Sequence, residues 1–281
     1  MNVTIEFKGL KEVIANMNDL AKTQVPFAAA KALTKTAQDV KEEIVKQMPS
    51  FIDRPARWTL NGLYIKPATK EKLIAEVGYK DKTSIKVTTT NKGQGTPAAY
   101  YMEPNVEGGK RNIKGFEKAL QYHGVLPKGM YIAPGEACPL DAYGNIPHGL
   151  IMQILSYFKA SERGSGSKSN ITPEKKAKLL KGTKKTRGFE YILSRGKGEM
   201  NIPTESGGLR TIQQHLPAGI YKKEGYAWGS RIRPIMMFVK EPSYKKRFPF
   251  HEIARKTMNE MLLPRFDEAM KEALLTMKRT G

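Results

Sequence analysis

The side chains of this 281-residue sequence that could carry chemistry are few: four histidines, one cysteine and a scattering of glycine-rich steps. His123, His148, His215 and His251 are far apart, and none sits in an H-E-x-x-H or C-x-x-C pattern that would hold zinc. His251-Glu252 lacks a second histidine at helical spacing. Cys138, between Ala137 and Pro139, would act as a nucleophile only with a histidine folded against it, and a small buried residue is the better reading. A lone cysteine also excludes an internal disulfide framework. Gly164-Ser165-Gly166-Ser167 follows a basic stretch rather than an apolar strand, which is not the setting of a nucleophile elbow. No G-x-x-x-x-G-K-[ST] run is present, and Gly207-Gly208 lacks the lysine that a phosphate cradle needs. Acidic residues are sparse through the middle and form no compact pair suited to hydrolysis or to two metals. The sequence therefore assigns no catalytic, cofactor-binding or metal-ligating residue. The expectation is a protein that is not an enzyme.

Binding chemistry is better represented. Forty-eight Lys and Arg face 27 Asp and Glu, a formal net charge of +21. A surface so charged repels itself unless it meets nucleic acid, an anionic membrane or an acidic protein. The excess is densest at 159–188, where Lys159, Arg163, Lys168, Lys175, Lys176, Lys178, Lys181, Lys184, Lys185 and Arg187 face only Glu162 and Glu174. Low apolar content and many Gly, Ser and Thr predict a flexible arm or exposed insertion here. Lys168, Lys175, Lys176, Lys178, Lys181, Lys184, Lys185 and Arg187 are thus the candidates to contact a partner or DNA. Within the arm, Thr172-Pro173-Glu174-Lys175 can open a short helix, with Thr172 as N-cap and Pro173 at its first position. Tyr100-Tyr101, Tyr122, Tyr131, Tyr143 and Tyr221 lie among lysines, a composition that suits base stacking. It also suits protein interfaces, and that reading is favoured, with Tyr100, Tyr101 and Tyr143 as candidates.

The elements that must position these residues follow from periodicity. Val3, Ile5 and Phe7 alternate as a short strand. Leu10, Val13, Ile14, Met17, Leu20 and Ala21 recur at helical spacing. A second helix is predicted after Thr23 and Pro26, through Phe27, Leu33, Val40 and Met48, ending at Pro49. Its Ala-rich start favours helix and lets a neighbouring backbone approach closely. Residues 58–90 read as paired strands around Leu63–Ile65 and Leu73–Val77, with another at Ile85–Thr89. Between Gly93 and Gly149 long loops are expected around a helix at Lys114–Tyr122, and another helix opens near Pro147. Strands are predicted at Ile220–Lys223 and Ile232–Val239, with the connection starting at Glu224-Gly225. From about Pro249 a long amphipathic helix follows, which Pro264 should kink or split. No stretch approaches the roughly eighteen consecutive apolar residues of a membrane span, and Met1–Lys8 lacks a signal peptide's apolar block. The expected class is α+β: an N-terminal strand and helices, a central antiparallel sheet with long Gly/Pro-rich loops, and a long C-terminal helix. The expected organisation is an N-terminal region 1–158, a basic arm 159–188, and a C-terminal region 189–281 completing the same domain.

Three segments resemble the minor tail protein Z family and the wider tail-completion proteins of long-tailed phages. The first is Leu20-Ala21-Lys22-Thr23-Gln24-Val25-Pro26-Phe27-Ala28-Ala29-Ala30-Lys31-Ala32-Leu33-Thr34-Lys35-Thr36-Ala37, a Val-Pro step before an Ala-rich helix. The second is Arg247-Phe248-Pro249-Phe250 with the helix that follows to Met277-Lys278-Arg279. The third is Leu140-Asp141-Ala142-Tyr143-Gly144-Asn145 before Gly149–Leu155. Together they cover about half the chain, and the basic arm has no counterpart among them. The resemblance implies a virion protein at the top of the tail, assembled in the host cytoplasm. It implies a ring, sixfold to match the tail, that meets the tail terminator, tail tube or head connector and genomic DNA, with no membrane and no cofactor. A nucleic-acid-binding protein acting through the 159–188 arm is the alternative. An enzyme with an unrecognised site ranks last.

Overall fold

The computed structural model describes residues 1–7, 19–81, 96–161, 169–184, 186–203, 208–226 and 228–280. Most of the first expected helix, the strand at Ile85–Thr89, and Lys168 and Lys185 of the basic arm lie outside these residues. The fold is mixed α+β, with helices and several antiparallel sheets. It divides into two compact units, Met1–Arg111 with Ser243–Gly281, and Asn112–Pro242. The boundaries expected at 158/159 and 188/189 are therefore not where the units part.

In the first unit, β1 (Asn2–Glu6), β2 (Leu63–Lys66) and β3 (Ile74–Tyr79) form an antiparallel sheet in the order β1-β3-β2. Helix α1 (Asp19–Phe51) lays one stripe on it: Ala29, Leu33, Ala37, Val40, Ile44 and Met48 are buried with Ile5, Leu63, Ala75, Val77 and Tyr79. The break expected at Pro26 does not occur, for the helix runs through it. A proline inside a helix removes one hydrogen bond and crowds the preceding turn, but the alanine run that follows and its tertiary packing carry the helix on. Helix α7 (Phe250–Thr280) likewise continues past Pro264. Next to that proline, Arg265 grips Asp39 of α1 with two bonds of 2.8 Å. Lys35 reaches Glu268 at 3.0 Å and Lys31 pairs with Glu272. Rising numbers on α1 meet falling numbers on α7, so the two helices are antiparallel. Between them Ala28 and Ala32 pack on Ala269 and Ala273, small residues that let the backbones close up. Short helices α2 (Arg57–Leu60) and α3 (Ala98–Val106) complete this unit, α3 lying where loops were expected.

The second unit is an insertion. Two-residue strands β4 (Gly109–Lys110) and β11 (Ser243–Tyr244) pair across its root, Lys110 opposite Ser243. Its four-stranded antiparallel sheet runs β5-β10-β9-β6, from β5 (Tyr131–Pro134), β10 (Gly229–Val239), β9 (Gly219–Tyr226) and β6 (Phe189–Ser194). A separate ribbon joins β7 (Gly198–Pro203) and β8 (Leu209–Gln214). Pro234 has no N–H for the ladder, and the register slips between it and Met236, a bulge where proline is tolerated. Helices α4 (Gly115–Tyr122) and α5 (His148–Tyr157) contribute Leu120, Ile154, Leu155 and Tyr157 to a core with Ile132, Tyr191, Ile220, Ile235, Met236 and Phe238. The buried carboxylate of Glu117 accepts from Lys114 N at 2.7 Å and from Ile132 N at 2.8 Å. One acid thus caps α4 and ties it to β5, which accounts for its burial without invoking chemistry.

Candidate functional site

Part of the basic arm forms helix α6 (Pro173–Lys181), which Thr172 caps by accepting from Lys175 N, with Pro173 at the helix start. Lys175, Lys176, Lys178 and Lys181 are all exposed on it, and Lys184 and Arg187 are exposed beyond its end. Among the described residues no ion pair reaches any of these six cations. Leu179 anchors the helix to the core of the inserted unit, and Lys176 lays its ammonium 4.5 Å from the centre of the Tyr157 ring. An ammonium over a ring is attracted by the negative face of the π-system.

After α6 the chain turns back sharply. Gly182 adopts φ 74 and donates to Lys178 O, and Thr183 and Thr186 close the turn. At Gly188 a Cβ would lie 1.8 Å from the carbonyl oxygen of Leu180, so only glycine fits. This close approach feeds Arg187 onto the start of β6. Its guanidinium lies 4.3 Å from the centre of the Tyr226 ring, and Tyr226 in turn sits 4.9 Å from Trp228, their planes tilted by 32°. Trp228 is 80 % exposed at the tip of the β9–β10 hairpin, where Tyr226 pairs with Gly229.

Register shows what shares this face of the sheet. Phe189 pairs with Glu224, Tyr191 with Lys222, Arg231 with Glu224 and Arg233 with Lys222. Directly opposed residues project to the same side, so Arg231, Arg233, Lys222 and Glu224 share a face with Phe189, Tyr191 and Tyr226. Glu224 binds Lys222 and Arg233, each at 2.8 Å. Lys222 first, then Arg233, hold its carboxyl below the usual range against the opposing effect of burial. The Lys222 ammonium also caps the Phe189 ring at 4.4 Å. From Phe189 an edge-to-face ladder runs through Tyr191 to Tyr157, at 5.4 and 5.1 Å. Burial pushes the Tyr191 hydroxyl up to about 12, so it stays protonated and donates to Gln153. The ladder thus runs from Lys176 of the lysine helix to Phe189 at the start of β6.

The chain matches no known protein family, no curated protein and no solved structure. Function must be read from the chain's own chemistry. Sequence reasoning found Lys176 and Arg187 but not their aromatic partners, because it ended β9 at Lys223 and treated Glu224-Gly225 as loop. The signal was present: Lys222, Glu224, Tyr226, Arg231 and Arg233 keep strict alternation on either side of Trp228. The tyrosine candidates do not converge on this face. Tyr100 and Tyr101 belong to α3 in the other unit, where the half-buried Tyr101 hydroxyl donates to Thr59 and burial raises its pKa. Tyr143 is exposed in a turn that Asp141 builds by accepting from Tyr143 N and Asn145 N at 2.9 and 2.8 Å. Burial also raises the Cys138 thiol, the reverse of what a nucleophile needs. Among the described residues no three His, Cys, Asp or Glu gather to hold a metal ion. No described helix is long and apolar enough to cross a membrane.

Proposed function

We propose that the chain is a structural virion protein of a tailed phage, a ring subunit that completes the top of the tail and joins it to the head connector. One observation carries this reading. The segments Leu20–Ala37 and Arg247–Arg279, which resemble the tail-completion proteins, are far apart in sequence yet fall in the single antiparallel pair α1 and α7 of one compact unit. The third resembling segment, 140–155, falls in the inserted unit together with the basic arm, so the α1–α7 pair alone supports the reading. Insertions rooted in a short strand pair are tolerated because their ends already lie together. A ring built of heterologous contacts lets each subunit turn a different patch to the next, and the cationic inserted unit suits an acidic neighbour or the genome. Gold-labelled antibody against the chain, imaged on intact particles, should mark the head–tail junction; label elsewhere or nowhere overturns the reading.

A second reading is favoured by the unpaired cations of α6 and its following turn. In it the chain is a nucleic-acid-binding protein acting through the 159–188 arm. Replacing Lys175, Lys176, Lys184 and Lys185 with Gln then weakens DNA binding and flattens its salt dependence, since fewer counterions are released. Unchanged binding excludes it.

A further inference from the structure

The open end of the β9–β10 sheet has a composition that helix α6 alone does not supply. Arg187, Tyr226 and Trp228 form a contiguous cation–aromatic cluster, with Trp228 the outermost ring. Around it Lys222, Arg231 and Arg233 share one face with a single carboxylate, Glu224, whose two oxygens already serve Lys222 and Arg233. Such a face is short of negative charge and offers an exposed indole. The ligand that satisfies both is a flexible polyanion carrying flat π-systems. Single-stranded nucleic acid is that ligand: its phosphates answer the arginines and lysines, and an unpaired base continues the stack on Trp228. A duplex answers only the charge, because its bases are already stacked on one another. An acidic protein with an apolar pocket for the indole is the competing occupant, and the oligonucleotide test separates the two.

We propose that the tip of the inserted unit, centred on Trp228 and Tyr226 and flanked by Arg187, Lys222, Arg231 and Arg233, is a stacking site for single-stranded nucleic acid. It extends the nucleic-acid reading to residues outside the 159–188 arm and does not depend on assembly on a tail. The substitution Trp228→Ala removes an exposed side chain from a hairpin tip, where the fold has little to lose, and an unchanged melting temperature checks this.

The test uses the full chain and a labelled oligothymidylate of about twelve nucleotides, within the range such surfaces cover. Binding is followed by anisotropy against a duplex of the same length. Trp228→Ala should weaken single-strand binding about tenfold while duplex binding and the salt slope stay as they were. In a Trp58→Phe background, leaving Trp228 as the sole tryptophan of the two, the oligonucleotide should quench the remaining emission. Equal single-strand affinity in the Trp228→Ala chain overturns the proposal. If binding is then lost only with the lysines of α6, the arm is the binding element and the tip is not. Absence of oligonucleotide binding at low salt also overturns it.

Discussion

The two units use charge in opposite ways. Along the seam of α1 and α7 in the first, three cations are paired internally: Lys31 with Glu272, Lys35 with Glu268, Arg265 with Asp39. These pairs flank an alanine seam and fix which turn of one helix meets which turn of the other. In the inserted unit one acid, Glu224, serves two cations, while Lys175, Lys178, Lys181 and Arg187 project from the surface. The same residue types build a scaffold in one place and an exposed cationic surface in the other. The difference lies in whether a carboxylate stands at the matching helical or strand position.

Each unit holds one tryptophan, Trp58 in the first and Trp228 in the second, so each can be watched separately. The largest expected effect is from Phe250→Ala, which empties a fully buried site between α7 and Tyr79. It should destabilise the first unit by about 3–5 kcal/mol. Denaturant unfolding should show the Trp58 transition moving well ahead of Trp228; transitions that shift together would mean that the units do not unfold separately. Next, Glu224→Gln leaves Lys222 and Arg233 without their shared charge. A loss of about 1–3 kcal/mol should appear in the Trp228 transition alone.

A smaller effect of opposite sign is expected at Tyr79. Its hydroxyl is buried with no hydrogen-bond partner among the described residues, and burial raises its pKa. Removing an unsatisfied polar atom should therefore help, and Tyr79→Phe should stabilise the first unit by about 1 kcal/mol. A loss of stability would show that the hydroxyl is satisfied.

The smallest effect concerns acid. Lys35, then Arg265, hold the Glu268 carboxyl below its ordinary value of 4.5. A depressed folded pKa contributes stability in full above that value, and the contribution fades as pH falls through the lower folded pKa. Glu268→Gln should therefore lower the Trp58 midpoint at neutral pH and converge with the parent chain in acid. A gap that persists at low pH would assign the loss to packing instead.

Much of the scaffold was legible because it is local. Leu33, Val40, Ile44 and Met48 announce a helix by spacing, and Thr172-Pro173 announces the cap of α6. Local rules failed where distant residues decide. Pro26 reads as a break and Pro264 as a kink or a split, yet neither interrupts its helix, and Arg265 beside Pro264 binds Asp39 of α1. The ends of the insertion left no mark in composition, since β4 and β11 are two residues each and pair only with one another. The cationic surface of the inserted unit was half visible: its lysines form a run, whereas Tyr226 and Trp228 meet Arg187 only once β9 and β6 have paired.

We propose above that this chain works as a subunit of a closed ring at the top of a phage tail. Its native mass, measured alone and after mixing with tail-tube and terminator proteins, tests that most directly. The expected species is a hexamer, either free or formed on the tail tube. A chain that stays monomeric in the presence of those proteins would contradict it.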